Sequence, residues 1–293
     1  MSAPRDRALR LLVHGAGGLT LAFLLFPIGA VLLGAFQLER HLTTNPLDLW
    51  PEELTLDNFR LLVAGTGAAG GIGAYVPPNV DHLPRAFLNS LLVAGTVTLA
   101  VVALGAHSAY AIARLGRRWT RGFLYVSLAT RLVPVMILMV PLYVTLRGYG
   151  LLNSLGGIIV TEVGFLLPFA IWILTGFFAV LPRELEESAR VDGCSRLQAF
   201  WYVLVPVATP GLASCAVIMF ILSWNELIIP LLVTTRPEVM TVPVVLAGLA
   251  GDRFVFFTLM MALCLIALLP SVLLALLLRR YVVRGLTAGA LKA

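Results

Sequence analysis

Residues 156–181 read GGIIVTEVGFLLPFAIWILTGFFAVL, a stretch that decides the fold class because Glu162 is its single charged residue. About 20 consecutive apolar residues make a helix long enough to cross the hydrocarbon core of a bilayer. Five other segments have the same character, and the predicted spans are residues 11–36, 87–113, 122–146, 156–181, 206–233 and 254–278. We therefore predict an all-α polytopic membrane protein with six transmembrane helices.

The composition of the whole chain is also typical of a protein that lies in a bilayer. Of its 293 residues, 59% are hydrophobic and 12% are charged, and the mean hydropathy is +0.95. Soluble domains are about half apolar and about a quarter charged. The formal charge of +6 does not indicate nucleic-acid binding, because the basic residues lie in short clusters between apolar runs. No small-residue cleavage site precedes Gln37, so we interpret the N-terminal apolar run as a retained first span.

The basic clusters predict which side of the membrane each loop occupies. They precede the first span, separate the second from the third, and follow the sixth, so with six spans all three lie on one side. That side is expected to be cytoplasmic, with both termini on it. The connection 37–86 is net acidic and is expected outside. The chain is divided accordingly into residues 1–86, the first transmembrane helix with its outer loop, and residues 87–293, a core of five transmembrane helices.

The connection between the fourth and fifth predicted spans, Pro182 to Leu204, is polar and helix-prone, and Asp192-Gly193 interrupts it. Four predicted spans precede this connection, so it is expected on the same side as the N-terminus, which is the cytoplasmic side. A mixed-charge segment of this length is longer than a tether requires. We interpret it as two short helices joined by a glycine turn, which lie along the membrane face and suit docking to a soluble partner.

The same loop carries a spaced motif: Glu187-Ser188-Ala189, three residues, Gly193, nine residues, Val203, one residue, and then Val205-Pro206. This spacing resembles the EAA signature of ABC importer permeases, in which E-A-A, G, I and L-P follow one another at the same intervals. The resemblance implies that loop 183–204 forms cytoplasmic coupling helices that dock to a separate ATPase subunit. The implied ATPase-coupling residues are Glu187, Ser188, Ala189, Asp192 and Gly193. Glycine permits a left-handed turn between the two helices.

Other segments resemble the carbohydrate branch of these importers, in particular the second permease of maltose-type systems. These segments are Asn89-Ser90, Ala109 to Arg114, Pro141 to Tyr143, Gly150 to Asn153, and Trp224-Asn225-Glu226. Residues 285–292 resemble the C-terminal tail that reaches between the two ATPase subunits in the maltose-type permease. The resemblance implies contacts to the ATPase from Thr287, Ala288 and Gly289.

The resemblance also implies a solute and a set of partners in the inner cell membrane. The solute would be a sugar or oligosaccharide, with phosphate esters, polyols and acidic oligosaccharides as open alternatives. The implied partners are a second homologous permease, which completes a heterodimer, two copies of a nucleotide-binding ATPase subunit, and an extracytoplasmic solute-binding protein. ATP and Mg would be bound by the ATPase subunits, and this chain is expected to bind no cofactor.

The residues themselves argue against an ATPase in this chain. A phosphate-binding P-loop requires a Lys after its glycines, and the only Lys in the sequence is Lys292. Residues 65–70 match G-x-G-x-x-G, but they lie in the outer loop without a preceding strand, and we interpret them as flexible loop. The four His and three Cys residues show no metal-ligand spacing, so neither a metal site nor a catalytic residue is predicted.

Polar residues inside the spans are candidates for the translocation path, namely Arg131, Asn225, Glu226 and Glu162. Such residues normally face the interior of a bundle or a wet cavity. They either line the solute path or fix helix packing, for example through an Arg131–Glu226 pair, and the sequence leaves both interpretations open. Glu162 is expected near the outer membrane surface, which favours a role in helix packing over a role in the solute path. Four prolines are predicted to kink spans three to five around a cavity: Pro134, Pro141, Pro168 and Pro230.

Two other classes of protein are compatible with six spans. A proton-coupled secondary transporter could use Glu162, Glu226 or His107 as a relay, although it would have no need of the spacing over residues 187–206. A non-transporting scaffold or sensor subunit would lack polar residues aligned on the faces of its spans.

Overall fold

The computed structural model describes residues 3–44, 50, 53–65, 78–115, 118–250 and 255–290; for residues 3–10, 78–79, 115, 118–119, 121 and 281–290 it describes the backbone alone. The described residues are almost entirely helical, which confirms the predicted fold class. The α-helices are α1 (Ala3–Ala35), α2 (Glu39–Thr44), α3 (Asp57–Ala64), α4 (Leu83–Leu115), α5 (Arg118–Ala129), α6 (Val135–Gly148), α7 (Leu155–Val180), α8 (Glu184–Val191), α9 (Arg196–Ala199), α10 (Val205–Trp224), α11 (Ile228–Val233), α12 (Val242–Gly248) and α13 (Phe257–Ala290).

The membrane spans can be assigned from the length and hydropathy of these helices. Five helical stretches in the described part of the chain are long and apolar enough to cross a membrane: Leu11–Ala35, Val80–Arg114, Leu155–Val180, Arg196–Trp224 and Phe257–Arg280. A bent pair of helices, Gly122–Leu132 and Val135–Gly148, supplies a sixth span when it is counted as one broken span. The order of the spans therefore agrees with the prediction.

The predicted third span is not one kinked helix but two helices that meet at 94°. α5 is followed by a 3₁₀ turn, Thr130–Leu132, after which Val133 is extended with φ −75° and ψ 119°. Pro134 explains the break, because proline lacks an N–H donor and disfavours helical geometry in the residue before it. Pro134 then becomes the N-cap residue of α6.

The predicted bounds of the fifth span, residues 206–233, are wrong at both ends. The helix begins at Arg196 and ends at Trp224. Residues 228–233 form the separate short helix α11. Pro230 does not kink a long helix, because it lies in the first turn of α11, where a missing N–H has no helical acceptor to lose.

The chain divides into two compact units, residues 1–83 with 246–268 and residues 84–245 with 269–293. In the first unit, the carboxylate of Glu39 caps the start of α13. It accepts hydrogen bonds from the backbone N–H of Phe257 at 3.0 Å and of Thr258 at 2.8 Å. An acidic group at this end of a helix also complements the helix dipole.

In the second unit, α4, α7 and α10 supply most of the buried apolar side chains. Gly211 on α10 permits a close approach to α7, because a Cβ at this position would lie only 2.5 Å from the ring of Phe177. Phe178 of α7 and Phe200, just before α10, are fully buried, with their ring centres 6.0 Å apart. The arrangement of α7 and α10 positions the polar residues described next.

Candidate coupling segment and membrane cavity

The first candidate region is the segment that carries the EAA-like spacing. It begins with α8, whose first turn contains the acidic residues Glu184, Glu186 and Glu187. These charges complement the positive end of the helix dipole. Ala189 is buried, whereas Glu187 and Ser188 are exposed. α8 therefore packs against the protein through Ala189 and presents Glu187 and Ser188 outward.

A Schellman-type turn ends α8. The N–H of Cys194 donates to the carbonyl oxygen of Ala189 at 3.0 Å, and the N–H of Gly193 donates to that of Arg190 at 3.1 Å, the pair of bonds that defines this motif. Gly193 has a φ of +89°, so the left-handed turn expected from the sequence is present. No atom lies within 4 Å of the position that a Cβ would take. The turn therefore requires glycine for its backbone conformation and not for space.

The second half of the segment differs from the prediction of a separate short helix. Ser195 and Gln198 form a capping box at the start of α9, with hydrogen bonds of 2.8 Å and 3.3 Å. α9 then runs through a π-turn, Phe200–Leu204, directly into α10. The sequence analysis predicted that the fifth span begins at Pro206. The wider π-turn before this proline accommodates its missing N–H, so the helix continues.

A set of contacts that the sequence reasoning missed ties α8 to the end of α4. Tyr110 Oη donates to Glu186 Oε1 at 2.9 Å, and Arg114 Nε lies 3.2 Å from Glu186 Oε2. Arg114 Nη1 also donates to the carbonyl oxygen of Leu181 at 3.2 Å. Tyr110 and Arg114 are four residues apart and so share one face of α4. That spacing was the signal available in the sequence.

Apolar side chains are exposed at the end of α8, on α9 and in the π-turn that follows. The exposed fraction is 87% for Val191, 61% for Leu197 and 75% for Tyr202. Exposed apolar and aromatic residues with polar neighbours are typical of protein–protein interfaces. We define the coupling surface as Glu187, Ser188, Val191, Leu197 and Tyr202. It combines exposed acidic, apolar and aromatic side chains.

The second candidate region is a cavity of about 230 Å³ between the break in the third span, α7, the end of α10 and the start of α11. Three of the four polar path candidates, Arg131, Glu162 and Glu226, line it. Asn225 does not, because its Nδ2 donates to the carbonyl oxygen of Ile221 at 2.7 Å and the residue ends α10. The fold therefore brings together three candidates and separates the fourth from them.

Glu162 is almost fully buried, with 1% of its surface exposed. Ser223 Oγ donates to Glu162 Oε2 across the contact between α7 and α10. Glu162 Oε1 has no hydrogen-bond partner among the residues that the structure describes. The sequence favoured a packing role for this residue, and its bond to Ser223 does join α7 to α10. The same side chain also lines the cavity, so both interpretations stay open.

Arg131 and Glu226, suggested as an ion pair, have other partners. Arg131 Nη1 donates to the carbonyl oxygen of Phe165 at 2.9 Å, and the guanidinium carbon lies 5.9 Å from the centre of the Phe169 ring. Glu226 Oε1 accepts from two backbone N–H groups in the first turn of α11, at 2.9 Å and 3.3 Å. Within the described chain no ion pair joins Arg131 to Glu226, because capping holds the glutamate against α11.

His107, a relay candidate in the secondary-transporter alternative, lies elsewhere. Its Nδ1 is 2.7 Å from the carbonyl oxygen of Ala103, and its ring packs against Phe200 and Trp201. It is not among the residues lining the cavity with Glu162. Of the three relay candidates, Glu162 and Glu226 therefore lie in one cavity and His107 lies apart from them.

Two sequence predictions fall partly or wholly outside the described residues. The backbone of Thr287, Ala288 and Gly289 belongs to α13, but their side chains are not described. Of the G-x-G-x-x-G match at residues 65–70, only Gly65 is described.

Comparison with known proteins identifies the family. Residues 101–288 match the family described as the inner membrane component of binding-protein-dependent transport systems. The chain belongs to this family. It is a transmembrane permease subunit of a binding-protein-dependent ABC importer, as the EAA-like spacing implied. Both the coupling surface and the cavity lie within the matched range.

Named relatives match over most of their length. The trehalose transport system permease protein SugB of Mycobacterium tuberculosis is 33% identical over 278 residues, covering 94% of each chain. The diacetylchitobiose uptake system permease protein DasC of Streptomyces coelicolor is 31% identical over 272 residues, covering 92% of each. The trehalose/maltose transport system permease protein MalG of Thermococcus litoralis is 34% identical over 214 residues, covering 72% of this chain and 76% of the relative. The resemblance to carbohydrate permeases is confirmed.

Solved structures show the same fold. A bacterial ABC transporter that imports the acidic polysaccharide alginate matches with a TM-score of 0.75 and 19% identity, covering 96% of this chain and 99% of that one. A bacterial alginate ABC transporter in complex with a periplasmic protein bound to alginate pentasaccharide matches with a TM-score of 0.63 and 16% identity.

Proposed function

We propose that this chain forms half of the translocation pathway for a sugar or oligosaccharide and couples transport to ATP hydrolysis in a separate subunit. The relatives named for trehalose, diacetylchitobiose and maltose systems support a sugar, with 31% to 34% identity to this chain. The coupling half of the proposal rests on one observation: the coupling surface is exposed and is held by a turn that only glycine adopts easily.

Three connections make the coupling surface part of a mechanical unit. Glu186 joins α8 to α4 through Tyr110 and Arg114. The Gly193 turn joins α8 to α9, which is continuous with α10. The span Arg196–Trp224 contains 29 residues, which corresponds to a rod about 43 Å long. A push on the coupling surface therefore displaces α10 as a whole.

The far end of α10 reaches the cavity. Ser223, in the last turn of α10, is bonded to Glu162 on α7, and Glu226 follows just after the helix. A displacement of α10 along or about its axis therefore changes the cavity wall directly. In the proposed cycle, closure of two ATPase subunits moves the coupling surface, and the cavity shifts between two conformations with openings on opposite sides of the membrane.

The family implies the partners, and the basic clusters support an orientation with both termini and the coupling surface in the cytoplasm. A solute-binding protein would dock at the opposite ends of the spans, and a second homologous permease would complete the pathway. ATP and Mg would bind in the ATPase subunits. In this proposal no covalent chemistry takes place in this chain.

Gentle solubilisation of the tagged chain from its host, followed by identification of the proteins that co-purify, tests the proposal. We expect one second permease and two copies of a P-loop ATPase for each copy of this chain. A sugar presented with the binding protein should then stimulate the ATPase. Recovery of this chain alone or as a homodimer would contradict the proposal. Uptake that survives ATP depletion and collapses with an uncoupler would instead indicate a proton-coupled transporter.

A further inference from the structure

We infer that the cavity binds one ring of a neutral sugar directly and that its carboxyl groups exclude acidic sugars. The inference rests on the proposed function, because it concerns the solute of the same importer. It assigns direct solute contact to this subunit. The polar groups that would make this contact are Arg131, Glu162 and Glu226.

The first observation is the unused acceptor of Glu162. This side chain is 1% exposed, lines the cavity, and has one oxygen bonded to Ser223. The other oxygen, Oε1, has no hydrogen-bond partner in the described part of the chain. Buried polar atoms are normally paired, because leaving one unpaired is unfavourable. Oε1 itself is covered in this conformation, so a solute hydroxyl would reach it and donate to it when the cavity wall moves with α10.

The second observation is that Arg131 provides donors in the same cavity. One guanidinium nitrogen bonds the carbonyl oxygen of Phe165, and the ring of Phe169 lies under the cation. These contacts fix the guanidinium, which has five N–H groups in total and so keeps donors for a ligand. A sugar hydroxyl both donates and accepts hydrogen bonds. Neighbouring hydroxyls of one ring therefore match Glu162 and Arg131 together.

The third observation is the charge balance of the cavity. Two carboxyl groups, Glu162 and Glu226, line it against a single guanidinium that is already bonded to a backbone carbonyl. A carboxylate on the solute would lose hydration there and lie beside two carboxyl groups, with one guanidinium to offset that cost. The similarity in fold to the alginate importer does not carry its acidic solute over to this chain.

The size of the cavity sets how much of the solute it holds. Its volume of about 230 Å³ is below the range of about 300–1,000 Å³ that is usual for drug-sized ligands. Phe165 and Leu166 add apolar surface to the lining, which suits the C–H face of a ring. The cavity in this chain therefore fits one ring and not a whole oligosaccharide.

The first test uses the complete importer, with its second permease, ATPase subunits and binding protein, reconstituted in proteoliposomes. The probes are radiolabelled glucose, maltose, trehalose and glucuronic acid. We expect uptake of at least one neutral sugar and none of glucuronic acid. Glu162→Gln should lower uptake of the neutral sugar about ten-fold below saturation, because it replaces one oxygen of the carboxyl group with an N–H donor.

The matched control is Thr161→Val. Thr161 is the buried neighbour of Glu162, but its hydroxyl bonds the carbonyl oxygen of Gly157 in its own helix at 2.8 Å. Unlike Glu162, it is not part of the cavity lining. The control variant should transport like the unmodified importer. Basal ATPase activity and co-purification of the subunits report whether each variant assembles.

A second measurement reads the charge of the cavity without any sugar. Leu222→Cys, in a chain whose three native cysteines are replaced by Ala, places one thiol in the cavity lining. A cationic methanethiosulfonate reagent should modify this thiol faster than an anionic reagent of similar size. Glu226→Gln, which keeps the oxygen that caps α11, should reduce that preference. Glu226→Gln tests the charge of the cavity even when the Glu162→Gln importer does not assemble.

The outcomes separate the inference from the proposed function. Normal uptake of a neutral sugar by an assembled Glu162→Gln importer overturns the inference and leaves the proposed function standing. Uptake of glucuronic acid by the unmodified importer, or faster modification by the anionic reagent, does the same. Failure of all four sugars both to enter and to stimulate the ATPase counts against the sugar assignment itself, and the inference falls with it.

Discussion

Arg114 and Glu186 form an ion pair between the end of α4 and the first turn of α8, with Nε and Oε2 3.2 Å apart. Their side chains are only 12% and 13% exposed. Tyr110 donates to the other oxygen of the same carboxylate. Removal of one partner from a shielded pair leaves the other charge poorly solvated. The position of α8 relative to α4 therefore depends on one glutamate outside the EAA-like spacing.

Glu186→Gln is expected to lower the thermal stability of the assembled importer and to raise the amount of ATP hydrolysed per sugar transported. A double-mutant cycle with Arg114→Met should give an interaction free energy of about 0.5–3 kcal/mol. Glu184→Gln is the matched control, because Glu184 lies in the same turn, is exposed and lies outside the coupling surface. It should leave the unfolding temperature unchanged. If the changes in the free energy of unfolding of the two single variants simply add in the double variant, the ion pair contributes nothing to stability.

Gly193→Val should uncouple ATP hydrolysis from uptake. The left-handed conformation costs a residue with a Cβ about 1–2 kcal/mol, and the observed φ is +89°. No neighbouring atom lies within 4 Å of a Cβ here, so the penalty comes from the backbone alone. Gly193→Asn should therefore retain more coupling, because Asn tolerates this conformation. Equal loss of coupling in Gly193→Val and Gly193→Asn would show that the conformation of the turn does not determine coupling. The ratio of uptake to ATP hydrolysis is the measurement.

Glu187→Lys should weaken binding of the ATPase subunit without disrupting the fold. Glu187 is exposed in the first turn of α8, where reversal of its charge costs about 0.3–1 kcal/mol through the helix dipole. Glu184→Lys is the matched control, because Glu184 is also acidic and exposed in that turn but lies outside the motif. Both variants should lose similar stability. Only Glu187→Lys should reduce co-purification of the ATPase, and equal reduction by both would remove the special role of Glu187.

Gly211→Ala should lower the unfolding temperature of the detergent-solubilised complex. The new Cβ would lie 2.5 Å from the Phe177 ring, and overpacking of this kind costs about 1–3 kcal/mol. Gly176→Ala is the control, since a Cβ at Gly176 meets no atom within 4 Å. The control should show no loss. An unchanged unfolding temperature in Gly211→Ala would mean that α7 and α10 do not approach as closely as described.

Hydropathy and glycine chemistry made part of this structure predictable. The spans follow from composition, because a helix that crosses a bilayer must be long and apolar. The Gly193 turn follows from the rarity of positive φ in other residues. Hydropathy did not locate the start of the fifth span at Arg196, because the first turns of this helix contain polar residues. Hydropathy averaged over a window of residues cannot distinguish such a polar extension of a helix from a loop.

The cavity was beyond the reach of a single sequence. It depends on a 94° bend beside Pro134, whereas a proline alone indicates a kink without its angle. It also depends on contact between Glu162 and Ser223, which are 61 residues apart in the chain. Hydropathy gives no signal for which helix faces meet. Arg131, Glu162 and Glu226 could therefore be named as candidates, but their common location and the separation of Asn225 could not.

The unbroken path from α9 through the π-turn into α10 has a consequence for how such a chain can change over generations. Each residue turns an α-helix by about 100°. Loss or gain of one residue within α10 would rotate Ser223 away from Glu162 relative to the coupling surface, with no loop between them to absorb the change. Substitutions at the exposed positions of this helix leave that geometry intact, whereas a change in the number of residues between Gly193 and Glu226 does not.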